Sequence, residues 1–265
     1  FAGASAEGLT LQRSILDEDD RVRFVRGDAV KRIDRDARRV TTESGLSIGW
    51  DTLVLATGSY AARLTVDGFD LTGCFVYRTL DDVQALRAFV DRRSAELGRP
   101  LRGTVIGGGL LGLEAAGALQ GLDVDCTVVQ SSDKLMSAQL DTRGADSLRR
   151  LIASRGISVR TGSVTTRLDP DIRGNVRGLE FREGDYADTD VVVFTVGVRP
   201  RDQLARAADL KVDPRGGVII DAGCTTSDPR ILAIGEVASF DGRAVGLVAP
   251  GYAMAEVAAT RLLGS

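Results

Sequence analysis

Residues 104–129 read as strand, glycine turn, helix, strand, and this order constrains the fold more than any other feature of the chain. Gly107, Gly109 and Gly112 stand in the spacing G-x-G-x-x-G. The apolar run Thr104–Ile106 precedes them, the alanine-rich run Leu113–Gln120 follows, and Cys126–Val129 forms a second apolar run. A strand feeding a helix through such a turn, with a parallel strand after it, is the dinucleotide-binding fingerprint. Each glycine has its own task. Gly107 allows the tight turn, Gly109 lets the backbone approach a pyrophosphate, and Gly112 lets helix and strand pack closely. The helix N-terminus then offers free N–H groups and a partial positive charge to the phosphates.

Composition excludes several classes of function. The chain has 265 residues, enough for one large domain or two ordinary ones. Its net charge of −3 gives no basic field for nucleic acid or anionic membranes. No apolar run reaches the roughly 18 residues of a membrane span, and no signal peptide is visible, so a cytoplasmic setting is expected. Histidine is absent. That removes imidazole triads, imidazole metal sites and the usual general base near neutral pH. The three cysteines, Cys74, Cys126 and Cys224, are scattered, which argues against a disulfide framework, a metal site or a redox dithiol. Any chemistry here is expected to reside in a cofactor.

The remaining pattern predicts an α/β chain. Alternation in Arg21–Arg26 predicts a strand, followed by strands around Val30–Ile33 and Val40–Thr42 and a buried strand in 51–56 ending at Thr57-Gly58-Ser59. Thr79 is placed to cap a helix running to about Val90, with 91–102 as a polar connector. Leu148–Ser154 reads as helix. Ser158–Thr161, Val176–Phe181, Val191–Thr195, Gly217–Asp221 and Ile231–Ile234 read as strands. Pro250 opens a last helix over 252–263. Three of the strands end in a glycine turn, at Thr57-Gly58, Thr195-Val196-Gly197 and Gly235-Glu236.

Taken in order, Ala56-Thr57-Gly58-Ser59, Gly107–Glu114, Thr195–Pro200 and Ala233–Glu236 resemble the FAD- and NAD(P)-dependent pyridine-nucleotide oxidoreductases. In detail, Gly73–Asp82, Gly107–Ala116, Gly197–Asp202 and Gly246–Ala255 are similar to the flavin module of assimilatory nitrite reductase large subunits. The resemblance covers essentially the whole chain. It implies a glutathione-reductase-like architecture of two dinucleotide-binding domains, with 1–78 and 200–265 forming an FAD-type domain around a nucleotide domain at 79–199. It implies FAD near Val30, Thr57, Gly58, Ser59, Gly235, Glu236, Gly246, Leu247 and Val248. It implies NAD(P)H near Gly107, Gly109, Leu110, Leu111, Gly112, Gln130 and Gly197. Glu114 matches an acid beside the nicotinamide; its alternative is a solvated first-turn glutamate favoured by the helix dipole. The activity implied is hydride transfer from nicotinamide to FAD, with electrons passing to a separate acceptor protein or domain.

Three departures qualify the resemblance. The family opens with its own G-x-G-x-x-G unit for the ADP half of FAD, and this sequence starts after that point, as a fragment or as a true truncation. The stretch after Ser59 lacks the family's prolines. Gln130 stands where NAD-preferring relatives carry an acid; with Ser131, Ser132 and Lys134 nearby it tolerates a 2′-phosphate, weakens nucleotide binding, or is only a neutral surface residue. Three cysteines cannot ligate a four-cysteine cluster, so nitrite reduction itself is not expected of this chain. The alternative function is a degenerate, non-catalytic dinucleotide-binding or scaffold subunit.

Overall fold

The computed structural model describes residue 19, residues 21–244 and residues 246–264. Contacts divide the chain into two units. One is Ala61–Gly197, and the other is the described part of Ala4–Tyr60 with Val198–Ser265. Residues 61–78 fall within the first unit, because Cys74–Val76 is an edge strand of its central sheet. The expected boundary at 78 therefore lies beyond the point where the chain enters that unit.

The first unit is built on a five-stranded parallel sheet. Its order across the sheet is Cys74–Val76, Val191–Phe194, Arg102–Ile106, Asp125–Val129 and Ser158–Arg160. Parallel strands bury both faces, and the residues show it. Val191, Val192, Val193 and Phe194 are all buried, as are Val105, Ile106, Val128 and Val129. One face packs on helices Leu80–Leu97 and Leu110–Gln120 through Leu86, Phe89, Val90, Ala115, Ala116 and Leu119. The other face packs on an antiparallel sheet of Thr165–Pro170, Val176–Phe181 and Tyr186–Asp188. The chain passes from Arg102–Ile106 outward to Ser158–Arg160, then returns to the opposite side with Val191–Phe194. That reversal opens a crevice beyond the C-terminal ends of the two inner strands, where open α/β sheets bind ligands.

Two of the fingerprint glycines are required by packing. Gly107 has φ 119°, and a side chain there would run into Thr195. A Cβ on Gly112 would overlap the Gly107 carbonyl oxygen and press on Thr195 Oγ1. Helix and turn meet only because both side chains are absent.

The second unit has a smaller core. Leu53–Leu55 and Ile231–Ala233 form a parallel pair. An antiparallel sheet of Val30–Asp34, Arg39–Thr42 and Ser47–Gly49 packs on the same core through Ile33 and Val40. Val218–Ile220, Ala238–Phe240 and Arg243–Ala244 make a third sheet. Helix Val248–Leu263 contributes Met254 to this core.

Several elements depart from the sequence expectation. Arg21–Arg26 forms no strand, and Val22, Phe24 and Val25 stay exposed. Alternation specifies a strand only where a neighbouring strand supplies hydrogen bonds. The helix expected to end at Val90 runs to Leu97 and closes on Gly98 at φ 64°, so most of the expected connector is helical. Its start agrees: Thr79 and Asp82 form a capping box. The fingerprint helix begins at Leu110 rather than Leu113, and the helix expected at 148–154 begins at Thr142, capped by Asp141. The last helix begins at Val248, with Pro250 inside its first turn.

Buried or clustered charges tie loops to this frame. Asp190 receives both Arg99 guanidinium nitrogens, at 2.8 and 2.9 Å, and the Arg102 N–H at 2.8 Å. Burial works to raise its carboxyl, but these donors hold it below the ordinary range. Asp171 caps the hairpin turn at Arg173 and Asn175 and meets Arg93 at 3.1 Å. Desolvation pushes it up, and the Asn175 and Arg173 donors with the Arg93 charge bring it down to about 2.

Two outcomes follow from this packing. Gly112→Ala should lower stability by about 1–3 kcal/mol through overpacking, read as a lower urea midpoint; an unchanged midpoint would show that the helix can retreat freely. For Asp171 the folded carboxyl lies below its ordinary 3.8, so its contribution is complete above that value and is lost as pH falls towards about 2. Asp171→Asn should therefore be less stable than the parent at pH 7, and the difference should close between pH 4 and pH 2. A difference independent of pH would show that the carboxylate charge is not what holds the turn.

Candidate functional site

A cavity of about 300 Å³ lies in the crevice of the first unit. It is lined by Gly107, Gly108 and Gly109 from the turn, Val129, Gln130 and Ser131 from the next strand end, and Thr195 and Val196 from the returning strand. Thr195 is joined to the turn: its Oγ1 donates within 3.1 Å of the Ile106 and Gly107 carbonyls. The fingerprint turn and the strand-end turn at Thr195-Val196-Gly197 thus converge.

The cavity has the properties an anionic nucleotide requires. Gly109 is the N-cap of helix Leu110–Gln120, with no side-chain cap and no acid in the first turn, so the helix start presents N–H groups and positive potential. A Cβ on Gly109 would meet nothing within 4 Å, so the space beside its backbone is open, in contrast to the crowded Gly107 and Gly112. In the cavity wall, Thr165 is buried and its Oγ1 has no hydrogen-bond partner among the described residues. An open glycine backbone, an uncapped helix start and an orphaned hydroxyl fit a dinucleotide diphosphate.

Gln130 does not point idly into this space. Its Oε1 accepts the Gly108 N–H at 2.7 Å and its Nε2 donates to Ser132 Oγ at 2.6 Å. Lys134, three residues beyond Ser131, donates its amine to the Leu140 carbonyl at 3.0 Å. Leu110 is exposed and Leu111 half-buried at the helix start, and Gly197, at φ 101°, follows the returning strand with open space beside it. Glu114 is exposed in the second turn of the helix, because the helix begins three residues earlier than expected. The first-turn dipole account of Glu114 therefore does not apply, since that effect fades within one turn. Burial, and then the Glu114 charge, push the Tyr77 phenol up, which places Glu114 within electrostatic range of Tyr77.

The second unit assembles the other strand-end turns. Ser59 Oγ donates to Glu236 Oε2 at 2.8 Å, so Thr57-Gly58-Ser59 and Gly235-Glu236 meet. Thr57 Oγ1 donates to the Arg201 carbonyl at 2.7 Å, and Arg201 N–H returns to Gly58 O at 2.9 Å. Gly58 and Gly235 hold φ 66° and 71° with open space beside both. Gly246 lies over Glu236: a Cβ there would sit 3.7 Å from Oε1. Leu247 and Val248, both exposed, lead into the last helix, whose N-terminus has no side-chain cap. Gly235 N–H approaches Met254 Sδ at 3.3 Å, which fixes the helix under the turn. Val30 lies in the antiparallel sheet, half-buried against the same core. A carboxylate acceptor beside open glycine backbone and an uncapped helix start fits the ribityl and isoalloxazine end of a flavin. The sequence contains one G-x-G-x-x-G, so a second fingerprint for an ADP half is not among these residues.

Sequence reasoning missed Leu64, Ser163, Val164 and Thr165 in the cavity wall. For Ser163–Thr165 a signal existed: they follow a parallel strand at its C-terminal end, where such sheets bind ligands. Leu64 arrives from a loop with no local signature.

All three thiols are free. Burial pushes Cys74 and Cys126 up to about 12, and Cys224 is also raised by burial. Among the described residues no group of three or more His, Cys, Asp or Glu could hold a metal ion, and no helix is long and apolar enough to cross a membrane.

Known proteins resemble this chain in sequence and in fold. The chain is 46% identical over its full length to the nitrite reductase [NAD(P)H] large subunit of Klebsiella oxytoca, of which it spans 27%. It is 32% identical, over 98% of its length, to the assimilatory nitrate reductase electron transfer subunit of Bacillus subtilis, of which it spans 32%. A crystal structure of the ferredoxin reductase for the CYP199A2 system from Rhodopseudomonas palustris superimposes with a TM-score of 0.89 at 29% identity, covering 99% of this chain and 64% of that one. The chain thus spans about a third or less of these two curated relatives. Residues 3–260 match the pyridine nucleotide-disulphide oxidoreductase family, whose members use FAD and NAD(P)H, and with its fingerprint cavity and mixed α/β fold the chain belongs to that family.

Proposed function

We propose that the chain is the electron-entry part of an NAD(P)H-dependent flavoprotein oxidoreductase, similar to that of the nitrite reductase large subunit. The observation that carries this reading is the contrast among the fingerprint glycines: two are forced by packing, whereas Gly109 alone leaves open backbone at an uncapped helix start. Packing does not account for a glycine at 109; a ligand does. Gly107, Gly109, Leu110, Leu111 and Gly112 hold the pyrophosphate region, and Gln130 and Gly197 flank it. Thr57, Gly58, Ser59, Gly235, Glu236, Gly246, Leu247 and Val248 would hold a flavin and its ribityl chain, and the uncapped helix start at Val248 would favour negative charge on the bound group. Val30 is the adenine contact by resemblance.

A bound FAD would supply the hydride-accepting and electron-releasing chemistry between the nicotinamide and an acceptor. The residues of this chain bind, orient and stabilise; no general base is required, which suits a chain without histidine. Glu114 is the acid proposed beside the nicotinamide. The family name includes disulphide reduction, but the three cysteines are free and far apart in sequence, with no C-x-x-C pair. Electrons are therefore proposed to leave to a separate acceptor protein or domain. Free cysteines suit a reducing compartment such as the cytoplasm.

The test is anaerobic mixing of protein, FAD and either NADH or NADPH, followed at the flavin absorbance. Bound flavin that bleaches supports the reading. Nucleotide binding without flavin binding would make the chain a binding module, and binding of neither would end both readings. Gly109→Val should weaken NADH binding at least tenfold in calorimetry while the protein stays folded, because its Cβ enters open ligand space and meets no protein atom within 4 Å. Retained affinity would remove this turn from the site. Glu236→Ala should lower flavin affinity about tenfold, the value of one charged hydrogen bond of about 1.5–3 kcal/mol; full flavin occupancy would reduce Glu236 to a partner of Ser59.

A further inference from the structure

We infer that Gln130 is a positioning residue that braces the glycine turn through Gly108, and does not read the ribose of the nucleotide. The inference rests on the proposed nucleotide site and assigns a role within it. The amide is asymmetric, and both ends are used according to type. The carbonyl end accepts the Gly108 N–H at 2.7 Å, and the amino end donates to Ser132 Oγ at 2.6 Å. Ser132 spends its own proton on the Lys134 carbonyl at 2.9 Å, so it can only accept from position 130. A carboxylate there would keep the Gly108 bond but set lone pairs against Ser132. An aliphatic chain would leave the Gly108 N–H unpaired. The amide alone satisfies both neighbours.

The brace is itself anchored. Gln130 N–H donates to Arg160 O at 2.8 Å, and Gln130 O accepts Ser163 N–H at 3.1 Å. The Gly108 carbonyl accepts Met136 N–H at 2.9 Å, so both peptide groups of Gly108 are held by residues 130–136. Leu135 fills the space where a side chain at 108 would stand. Meanwhile Lys134 is committed to the Leu140 carbonyl. Neither Gln130 nor Lys134 is left to distinguish a 2′-hydroxyl from a 2′-phosphate. What Gln130 controls is the geometry of the turn that meets the pyrophosphate, a group common to NADH and NADPH.

The test uses calorimetric titration with NADH, NADPH and ADP-ribose. Gln130→Leu should weaken all three by one common factor of about five to ten, the value of one lost hydrogen bond. Ser132→Ala, which removes only the far anchor, should weaken all three equally and by less, and it serves where the leucine variant does not fold. Gln130→Glu keeps the Gly108 acceptor but loses the Ser132 bond, so NADH and ADP-ribose should weaken equally and less than in Gln130→Leu, while NADPH weakens further through like charge. Amide exchange at Gly108 in the nucleotide-free protein should be slow in the parent and faster in Gln130→Leu. Unequal losses of NADH and NADPH in the leucine variant, or no loss, would overturn the brace. Absence of binding by the parent protein would overturn the nucleotide reading itself and the brace with it.

Discussion

The close contact between Gly112 and the Gly107 carbonyl sets the position of nearly everything else in the first unit. Because no side chain separates them, helix Leu110–Gln120 starts directly above the end of strand Arg102–Ile106. Its first N–H groups then open into the crevice at the reversal of strand order. The same approach lets Thr195 bond the turn from the returning strand, so the crevice is closed on one side by the residue that ends that strand. A single methyl at Gly112 would separate these parts, and the helix would still form but would aim its N-terminus elsewhere.

Both units use the same electrostatic device. Each places an uncapped helix start next to glycine backbone that leaves room for a ligand. The other two long helices among the described residues are capped by side chains. Thr79 and Asp141 cap their helices, and Asp190, Asp202 and Asp228 each meet arginine. Unsatisfied helix starts cost stability unless something else supplies an acceptor. Their position beside open glycine backbone, in a chain whose other long helices among the described residues are capped by side chains, distinguishes them from ordinary loop ends.

What the sequence made legible was local chemistry with a strict spacing. The fingerprint, the Thr79 capping box, the strand-end turns and the Val176–Phe181 strand could be read because turn, cap and period each impose a residue type at a position. Helix lengths were less legible. Asp91–Leu97 is polar, which looks like a connector, yet it continues a helix whose buried residues Leu86, Phe89 and Val90 already fix its axis. Arg21–Arg26 shows the converse, since its period suits a strand but the segment does not form one. The partners of Gln130 were not legible at all: a glutamine after a strand reads as a neutral surface residue until the turn 22 positions earlier is seen to present its N–H to it.

That last point bears on how such a site is specified. A carboxylate at the end of the second strand can do two things, accept an N–H from the turn and accept ribose hydroxyls, so its presence ties turn geometry to nucleotide choice. An amide separates the two. It keeps the acceptor for Gly108, turns its remaining hydrogens to Ser132, and brings no charge to the adenosine end of the cavity. Turn geometry is then maintained without repulsion of a 2′-phosphate, and discrimination between the two nucleotides must come from other walls. The wall that remains is Ser131 with Ser163–Thr165, neutral and hydroxyl-rich, able to donate to a phosphate or accept from a ribose with equal ease.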